Sequence, residues 1–384
     1  FPYTTLFRSG VGLEQELNSQ QPFDLGTGLN VGSQRNAARE SSTSWQGVFM
    51  INDYREARFP IRLPLEPDES GQGYLLRLGA LNGFENARQA LTGKGWGSMP
   101  TELDAELVSR WFGENVPKLR WALGAANSST AKGRTFYGGH QLSRPTFINR
   151  TQPRVCTACL EEDEYCKFSW DFSLVTACHQ HQVALIDRCN ACHTALRWRR
   201  PTPSVCTCWS PLPLSTPMYQ PQTVEFEFER WVQLQIRLKS LDPNLCAEAL
   251  SMHKTTHPSS ALMKMIWPMS LDAGLLITYA LSTAAGSPFV APSASPSSRP
   301  SLERAQTALN AANELATQLH KQHSAQMYIG SSKKAFELIA SCLTHDFSAA
   351  DRGFAQSLLA MLIKQYKTQR WSSAKPQLSQ LVLF

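Results

Sequence analysis

The residues best suited to chemistry lie together near the middle of the chain. Eight of its ten cysteines fall between Cys156 and Cys208, with histidines among them. Cysteine thiolates and histidine imidazoles are the protein ligands that zinc prefers. A short secreted protein held by disulfides would carry cysteines throughout, whereas this chain has 384 residues and one local concentration of them. The distribution therefore predicts metal binding by reduced thiols.

The spacing of these residues predicts which of them share an ion. They form four close pairs, each on a short turn that points both ligands to one side. A structural zinc ion has four ligands in a tetrahedron, so two pairs complete one site. The first predicted set is Cys156, Cys159, Cys178 and His181, and the second is Cys189, Cys192, Cys206 and Cys208. In the alternative, crossed pairing, the two CxxC pairs share one ion and the remaining two pairs share the other.

The other cysteine and histidines of this stretch are not expected to be ligands. Cys166 is flanked by aromatic residues and is predicted to be a small buried residue. His179 and His193 each follow a cysteine directly, and adjacent side chains diverge, so both are predicted to be bystanders. The acidic run from Glu161 to Glu164 is expected to be a solvated spacer.

Both predicted sites are expected to stabilise the fold rather than to catalyse a reaction. A catalytic zinc keeps one position open and has a general base nearby, whereas each set here supplies four protein ligands. The chain also contains no H-E-x-x-H and no H-x-E motif. We therefore expect two structural zinc ions in a protein that is not an enzyme.

Around these sites the sequence predicts a mainly α protein with small zinc-ribbon or zinc-finger β elements. The opening residues FPYTTLFRS look like a translated sequencing adapter, and Met50 looks like a better start. The predicted order is an artefact or disordered tail (1–49), an N-terminal helical, helix-turn-helix-like domain (50–149), a double zinc-binding module (150–212), a helical segment (213–285), a Pro/Ser-rich linker (286–301) and a C-terminal helical segment (302–384).

Helix signals are clearest in the N-terminal domain. Asp68 or Ser70 can cap a helix that ends at Asn82-Gly83. Its apolar face is formed by Tyr74, Leu75, Leu78 and Leu81. A second short helix is predicted from Glu85 to Leu91, and a third over TELDAELVSRWFG with Thr101 as its cap. Short helices with glycine-containing turns suggest a helix-turn-helix unit, and a generic helical bundle is the alternative.

The C-terminal half is predicted to be helical as well. Residues 224–241 first alternate like a strand and then have a helical pattern containing Trp231, Leu234 and Leu238. A pair of apolar helices follows, interrupted near Pro268, and further helices fill the region after residue 302.

Charge and hydropathy limit the partners and the location. The net charge of +6 permits a nucleic-acid partner. Contact residues are predicted in RWRRP and nearby: Arg188, Arg197, Trp198, Arg199 and Arg200. In the alternative, this loop is a solvated basic segment with Trp198 packed on the zinc ribbon. The longest apolar run, Ala273 to Ala285, is too short for a membrane span, and no signal peptide is evident, so we expect a cytoplasmic protein without a membrane partner.

The stretch VCTACLEEDEYCKFSWDFSLVTACHQHQVALIDRCNACHTAL combines CxxCL, a tryptophan, CxxH, an aliphatic pair and CxxC. This pattern resembles the signature of the TniQ family, transposition proteins that help to select the target site. The residues that carry it are Cys156, Cys159, Leu160, Tyr165, Trp170, Cys178, His181, Leu185, Ile186, Cys189, Cys192 and Leu196. The segment LPLEPDESGQGYLLRLGALNG is similar to the start of that family, and the resemblance covers residues 60–208. Thr157 departs from the proline that the family often has there.

The resemblance implies an adaptor. TniQ-like proteins bridge a target-recognising element, which is either DNA or an RNA-guided complex, to the AAA+ ATPase regulator that recruits the transposase. It also implies that a homodimer can form, and a CRISPR-associated transposon is one possible setting. The alternative is a zinc-dependent DNA-binding transcription regulator, which the helix-turn-helix-like start and the basic patch would suit.

Overall fold

Helices dominate the fold, as the sequence pattern predicts. In chain order they are α1 (Gly71–Leu81), α2 (Glu102–Phe112), α3 (Val116–Leu123), α4 (Thr157–Glu162), α5 (Thr223–Arg237), α6 (Pro243–Thr255), α7 (Ala261–Ile266), α8 (Leu271–Ala284), α9 (Leu302–His320), α10 (Ile329–Ser341) and α11 (Ala349–Leu381). The antiparallel hairpins are β1 (Thr135–Tyr137) with β2 (His140–Leu142), and β3 (Ala177–Cys178) with β4 (Val183–Ala184).

The structure, a computed structural model, describes residues 58–83, 102–124, 135–212, 220–289, 300–321, 327, 329–344 and 346–381. The expectations for residues 1–49, for the helix from Glu85 to Leu91, for the cap at Thr101 and for most of the Pro/Ser-rich linker lie outside these residues.

Helix α1 begins and ends where the sequence predicts. The Ser70 hydroxyl accepts a hydrogen bond from the backbone N–H of Gly73 at 3.3 Å, and Asn82 ends the helix. Of the predicted apolar face, Tyr74, Leu75 and Leu78 are buried, whereas Leu81 is 46% exposed.

Two glycines let α1 approach its neighbours closely. A Cβ atom on Gly71 would lie 2.6 Å from the carbonyl oxygen of Ala122 in α3. A Cβ atom on Gly73 would lie 2.8 Å from the Cβ of Cys166. Both distances are too short for real side-chain contacts, so a larger residue would force α1 away from α3 at Gly71 and away from Cys166 at Gly73.

Helices α2 and α3 are joined by three residues that begin with Gly113, whose φ of +79° favours glycine. Such a short, glycine-containing connection is typical of a helix-turn-helix unit. Glu114, in this turn, accepts a hydrogen bond from the backbone N–H of Leu65 at 2.7 Å. This hydrogen bond holds the turn against the segment before α1. A DNA-binding role for helices α2 and α3 stays a prediction.

Helix α5 corrects the expectation of a strand-like start to residues 224–241. A single helix runs from Thr223 to Arg237, and its predicted members Trp231 and Leu234 are buried. Glu225 and Glu229 are buried as well, with relative exposures of 0% and 1%. Because buried glutamates alternate with valine and phenylalanine, this helix imitates the period of a half-buried strand.

Helices α7, α9 and α10 pack on α8, whereas α6 packs on α5 and α11 packs on α10. The predicted interruption near Pro268 is confirmed, since α7 ends at Ile266 and α8 begins at Leu271. Every residue of α8 is buried, against α9 and α10 in particular. The apolar run at residues 273–285 is thus a core helix. Within the described residues, no helix has both the length and the hydropathy that a membrane span requires.

Candidate metal centres

The first cysteine cluster comprises Cys156, Cys159, Cys178 and His181. The Sγ atoms of Cys159 and Cys178 are 3.6 Å apart, and His181 Nδ1 lies 3.2 to 3.7 Å from the three sulfurs. Sulfurs held tetrahedrally at 2.3 Å from zinc would be about 3.8 Å apart, with slightly shorter distances to nitrogen. The four donor atoms therefore fit the coordination shell of one zinc ion.

Three short elements bring these ligands together. Cys156 immediately precedes α4, and Cys159 lies in its first turn. The hairpin β3–β4 carries Cys178 on one strand and places His181 in its turn. Val155 and Ile186 exchange two backbone hydrogen bonds, of 3.0 and 2.9 Å, and these join the two parts.

Glu162 orients the histidine ligand. Its Oε1 accepts a hydrogen bond from His181 Nε2 at 3.0 Å, which leaves Nδ1 free to face the sulfurs. Metal-binding histidines commonly donate their second nitrogen to a carboxylate in this way. The residues from Glu161 to Glu164 are exposed, as expected of a solvated spacer, but Glu162 has this additional contact.

Lys167 supplies a positive charge beside the first cluster. Its side chain is buried and its ammonium donates a hydrogen bond to Gln180 Oε1. Burial lowers the pKa of Lys167, but the negative charges of Cys159, Asp68 and Cys178 outweigh burial and raise that pKa above its ordinary value. Three thiolates around one divalent ion leave a net negative charge, which this ammonium can offset.

Helix α5 anchors the segment that leads into Cys178. Glu229 accepts hydrogen bonds from the Ser169 hydroxyl at 2.6 Å and from the backbone N–H and Nδ1 of His179. Glu225, one turn earlier, accepts a hydrogen bond from the Thr176 hydroxyl at 2.6 Å. His179 thus faces the helix and lies outside the cluster, as its position next to Cys178 predicts.

The second cysteine cluster comprises Cys189, Cys192, Cys206 and Cys208. The Sγ atoms of Cys189 and Cys208 are 3.8 Å apart, as are those of Cys192 and Cys206. These distances again match the edges of a tetrahedral zinc site. Hydrogen bonds from Thr194 lower the pKa of Cys192 to about 6, which favours the thiolate that a metal requires.

The eight residues are therefore grouped as their spacing predicts, and the crossed pairing is wrong. Cys166 belongs to neither cluster. It is buried beside Gly73, its Sγ accepts a hydrogen bond from Arg200 Nη2 at 3.4 Å, and burial raises its pKa to about 11. His193 is exposed, with a φ of +57° in the turn after Cys192.

The predicted basic patch is divided by the structure. From Leu196 to Arg200, buried and exposed residues alternate, so Trp198 and Arg200 point inward while Arg197 and Arg199 are exposed. Trp198 is 2% exposed, and the Arg200 guanidinium lies 5.6 Å from its ring centroid. The prediction that Trp198 and Arg200 contact nucleic acid is therefore corrected, because both side chains are buried within the protein.

Arg200 instead connects the second cluster to the core. Its guanidinium donates hydrogen bonds to the carbonyl oxygens of Arg197, Thr202 and Pro203, in addition to the Cys166 sulfur. Arg188 forms an isolated antiparallel β-bridge with Ala195, which directly precedes the segment that carries Arg197 and Arg199. The exposed part of the patch is therefore Arg188, Arg197 and Arg199.

A comparison with known families identifies the part of the chain that contains α1 and the first cluster. Residues 60–185 match the family model described as TniQ, and this stretch includes α1 and the whole first cluster. This stretch is therefore a TniQ domain. TniQ proteins work within transposition complexes, so this is a transposition-associated protein. No curated protein matches the chain.

The extent of the TniQ match separates the two clusters. The match ends at residue 185, just before Cys189, so the second cluster lies beyond it. Only the part of the resemblance up to residue 185 is therefore supported. The second cluster, with its exposed arginines, is an addition that the TniQ model does not describe.

Proposed function

We propose that this TniQ protein is a target-selection adaptor in transposition. It bridges a target-recognising element, either DNA or an RNA-guided complex, to the AAA+ ATPase regulator that recruits the transposase. The observation that carries the proposal is the TniQ match over residues 60–185. A CRISPR-associated setting is one form of this role.

The chemistry of the two clusters supports an adaptor rather than an enzyme. Each cluster brings four protein ligands within 4.8 Å of one another. Four such ligands fill a tetrahedral zinc ion, whereas catalytic zinc needs a position for water or substrate. We infer that two zinc ions are structural and that they hold loops whose surfaces contact other macromolecules.

A zinc-dependent DNA-binding transcription regulator is the second candidate, favoured by the α2–α3 connection. The cations of α3 weaken it, because Lys118 lies 4.0 Å from Glu114 and Arg120 lies 3.6 Å from Glu106. These carboxylates reduce the positive potential that DNA phosphates require. Gel shifts on promoter DNA without transposition partners would favour this candidate.

Co-purification with the regulator tests the adaptor proposal. The purified chain should be retained on an immobilised AAA+ ATPase transposition regulator. A matched column carrying an unrelated AAA+ ATPase controls for non-specific retention. Equal recovery from both columns would contradict the proposal. Genes for a transposase and an AAA+ ATPase next to this one would favour the adaptor over the DNA-binding transcription factor.

A further inference from the structure

Trp209 follows the last residue of the second cluster in a conformation that tryptophan rarely adopts. Its φ is +67°, in the left-handed region where a bulky side chain is strained. The turn around it explains this conformation. Its N–H donates to the carbonyl oxygen of Cys206 at 2.9 Å, and the N–H of Cys206 donates to the carbonyl oxygen of Ser210 at 3.0 Å. Glycine would close the same turn without strain.

Packing does not compensate for this strain. The Trp209 side chain is 76% exposed, the largest fraction among the exposed large hydrophobic residues of the described region. By contrast, the tryptophans at positions 111, 170, 198 and 231 are buried in the core. A strained, exposed indole contributes little to folding, so its position fits contact with a ligand.

Three exposed arginines lie on the same module as Trp209. Arg188 precedes Cys189, Trp209 follows Cys208, and the sulfurs of these two cysteines are 3.8 Å apart. Arg197 and Arg199 are exposed on the same module, and residues 188–212 contain no aspartate or glutamate. A zinc ion with four thiolates carries net negative charge, but the three exposed guanidiniums exceed it.

We propose that Trp209 stacks on an unpaired base of a single-stranded nucleic acid, while Arg188, Arg197 and Arg199 bind its phosphates. Aromatic stacking combined with a cationic track is how proteins bind single strands. The bases of an intact duplex are stacked on each other and present no free face to an indole. The inference deepens the proposed function, on which it rests only for its biological role, because it names the form of nucleic acid at the target.

Oligonucleotide binding by the full-length, zinc-loaded protein tests this proposal. The probes are fluorescein-labelled oligo(dT) and oligo(U), with a duplex of equal length as reference, and the readout is fluorescence anisotropy. Trp209→Gly should weaken single-strand binding between about 5-fold and 100-fold. Its melting temperature should be unchanged or higher, because glycine relieves the strained turn.

His193→Gly is the matched control. His193 also follows the second cysteine of its pair with positive φ, so the same backbone change is made at the other turn. It should leave single-strand affinity unchanged. Trp209→Phe keeps an aromatic face and should retain most of the affinity. Comparison of oligo(dT) with oligo(U) then distinguishes DNA from RNA as the source of the strand.

Two results would overturn the proposal. The first is no preference of the wild-type protein for single strands over the duplex. The second is equal affinity of wild type and Trp209→Gly. If Trp209→Gly also loses retention on the ATPase regulator, Trp209 belongs to a protein interface instead. Failure of the adaptor role alone would appear as lost retention of the wild type, with its oligonucleotide binding intact.

Discussion

Glu162 holds the imidazole of His181 in the orientation that a metal ion requires. The hydrogen bond of 3.0 Å between Oε1 and Nε2 fixes the tautomer and directs Nδ1 to the three sulfurs. A carboxylate in this position also increases the basicity of the ligand. The first cluster therefore depends on a residue that does not itself face the metal.

We expect Glu162→Gln to weaken zinc binding at the first cluster by about 10- to 100-fold, because outer-shell carboxylates have effects of this size. Competition with a chromophoric chelator measures the change. Glu161→Gln is the matched control, since Glu161 is an exposed neighbour in the same run. Equal affinities of the two variants would show that the Glu162 contact has no role in metal binding.

Cysteine substitutions should separate structural ligands from other thiols. Cys156→Ser removes a buried thiolate of the first cluster, and we expect the loss of about one zinc ion per chain together with unfolding of its module. Cys189→Ser should have the same effect on the second cluster. Cys246→Ser, at a half-buried thiol outside both clusters, should change neither zinc content nor melting temperature. Zinc content by elemental analysis and thermal unfolding together check this; an unchanged zinc content in Cys156→Ser would contradict the assignment.

The membership of the clusters could be predicted because it depends on local spacing. Two ligands separated by one or two residues lie on the same turn. Their pairing can therefore be predicted from the sequence without any tertiary contact. Lys167, Glu162 and Trp209 could not be assigned in the same way. Their roles depend on burial, on a partner 19 residues away and on a backbone angle, none of which a spacing rule contains.

At the scale of elements, helix α5 connects the first cluster to the C-terminal helices. Glu225 and Glu229 are one turn apart and hold Thr176, Ser169 and His179 from the same side. Buried carboxylates cost free energy unless they accept several hydrogen bonds, and Glu229 accepts three. The loops that carry the first cluster are thus held to α5 by hydrogen bonds.

Glu229→Gln should lower the free energy of unfolding by about 1–3 kcal/mol, because an amide nitrogen replaces an acceptor and leaves a buried donor without a partner. Urea denaturation of the zinc-loaded protein measures the loss. Glu248→Gln, on the exposed face of α6, is the matched control and should have no effect. A loss no larger than that of the control would mean that these hydrogen bonds do not stabilise the packing of α5.

The hairpin β1–β2 should make stability depend on pH. His140 is buried, its Nε2 donates to the carbonyl oxygen of Gln235 in α5 at 2.8 Å, and burial lowers its pKa from 6.5 to about 4. The unfolded chain binds a proton below pH 6.5, but the folded one does so only near pH 4. Stability from this group is therefore complete above pH 6.5 and is lost as the pH falls toward 4, by roughly 3 kcal/mol.

His140→Gln removes this titration and provides the control, because acid release of zinc affects both proteins equally. We expect the difference in free energy of unfolding between wild type and variant to shrink as the pH falls from 6.5 to 4. Parallel pH profiles of the two proteins would contradict the assignment.

Elements differ in how well their sequences predict them. Helix α1 was predictable from a cap, an apolar face and an Asn-Gly end. The helical start of α5 was not predictable. Alternating polar and apolar residues usually indicate a strand with one exposed face, but Glu225 and Glu229 of this helix are buried. The hairpin β1–β2 and helix α6 also have local sequence signals. These are a Gly138-Gly139 turn with positive φ at both residues, and Asp242 before Pro243.

At the scale of the whole molecule, one hydrophobic core extends from α1 through both clusters to α11. The TniQ match covers only residues 60–185 of the chain, so the second cluster and the C-terminal helices are packed onto a TniQ segment. These contacts join residues far apart in sequence, such as Trp231 with Gly274 and Arg154 with Pro300. Sequence pattern predicts the separate segments, but not that they share a core.

Recovery of a three-component complex measures whether the chain joins a target to the transposition regulator. The AAA+ ATPase is immobilised, and labelled target, either DNA or the RNA-guided complex, is added with and without the zinc-loaded chain. The adaptor role predicts that target is retained only when the chain is present. Equal retention of target with and without the chain would contradict it.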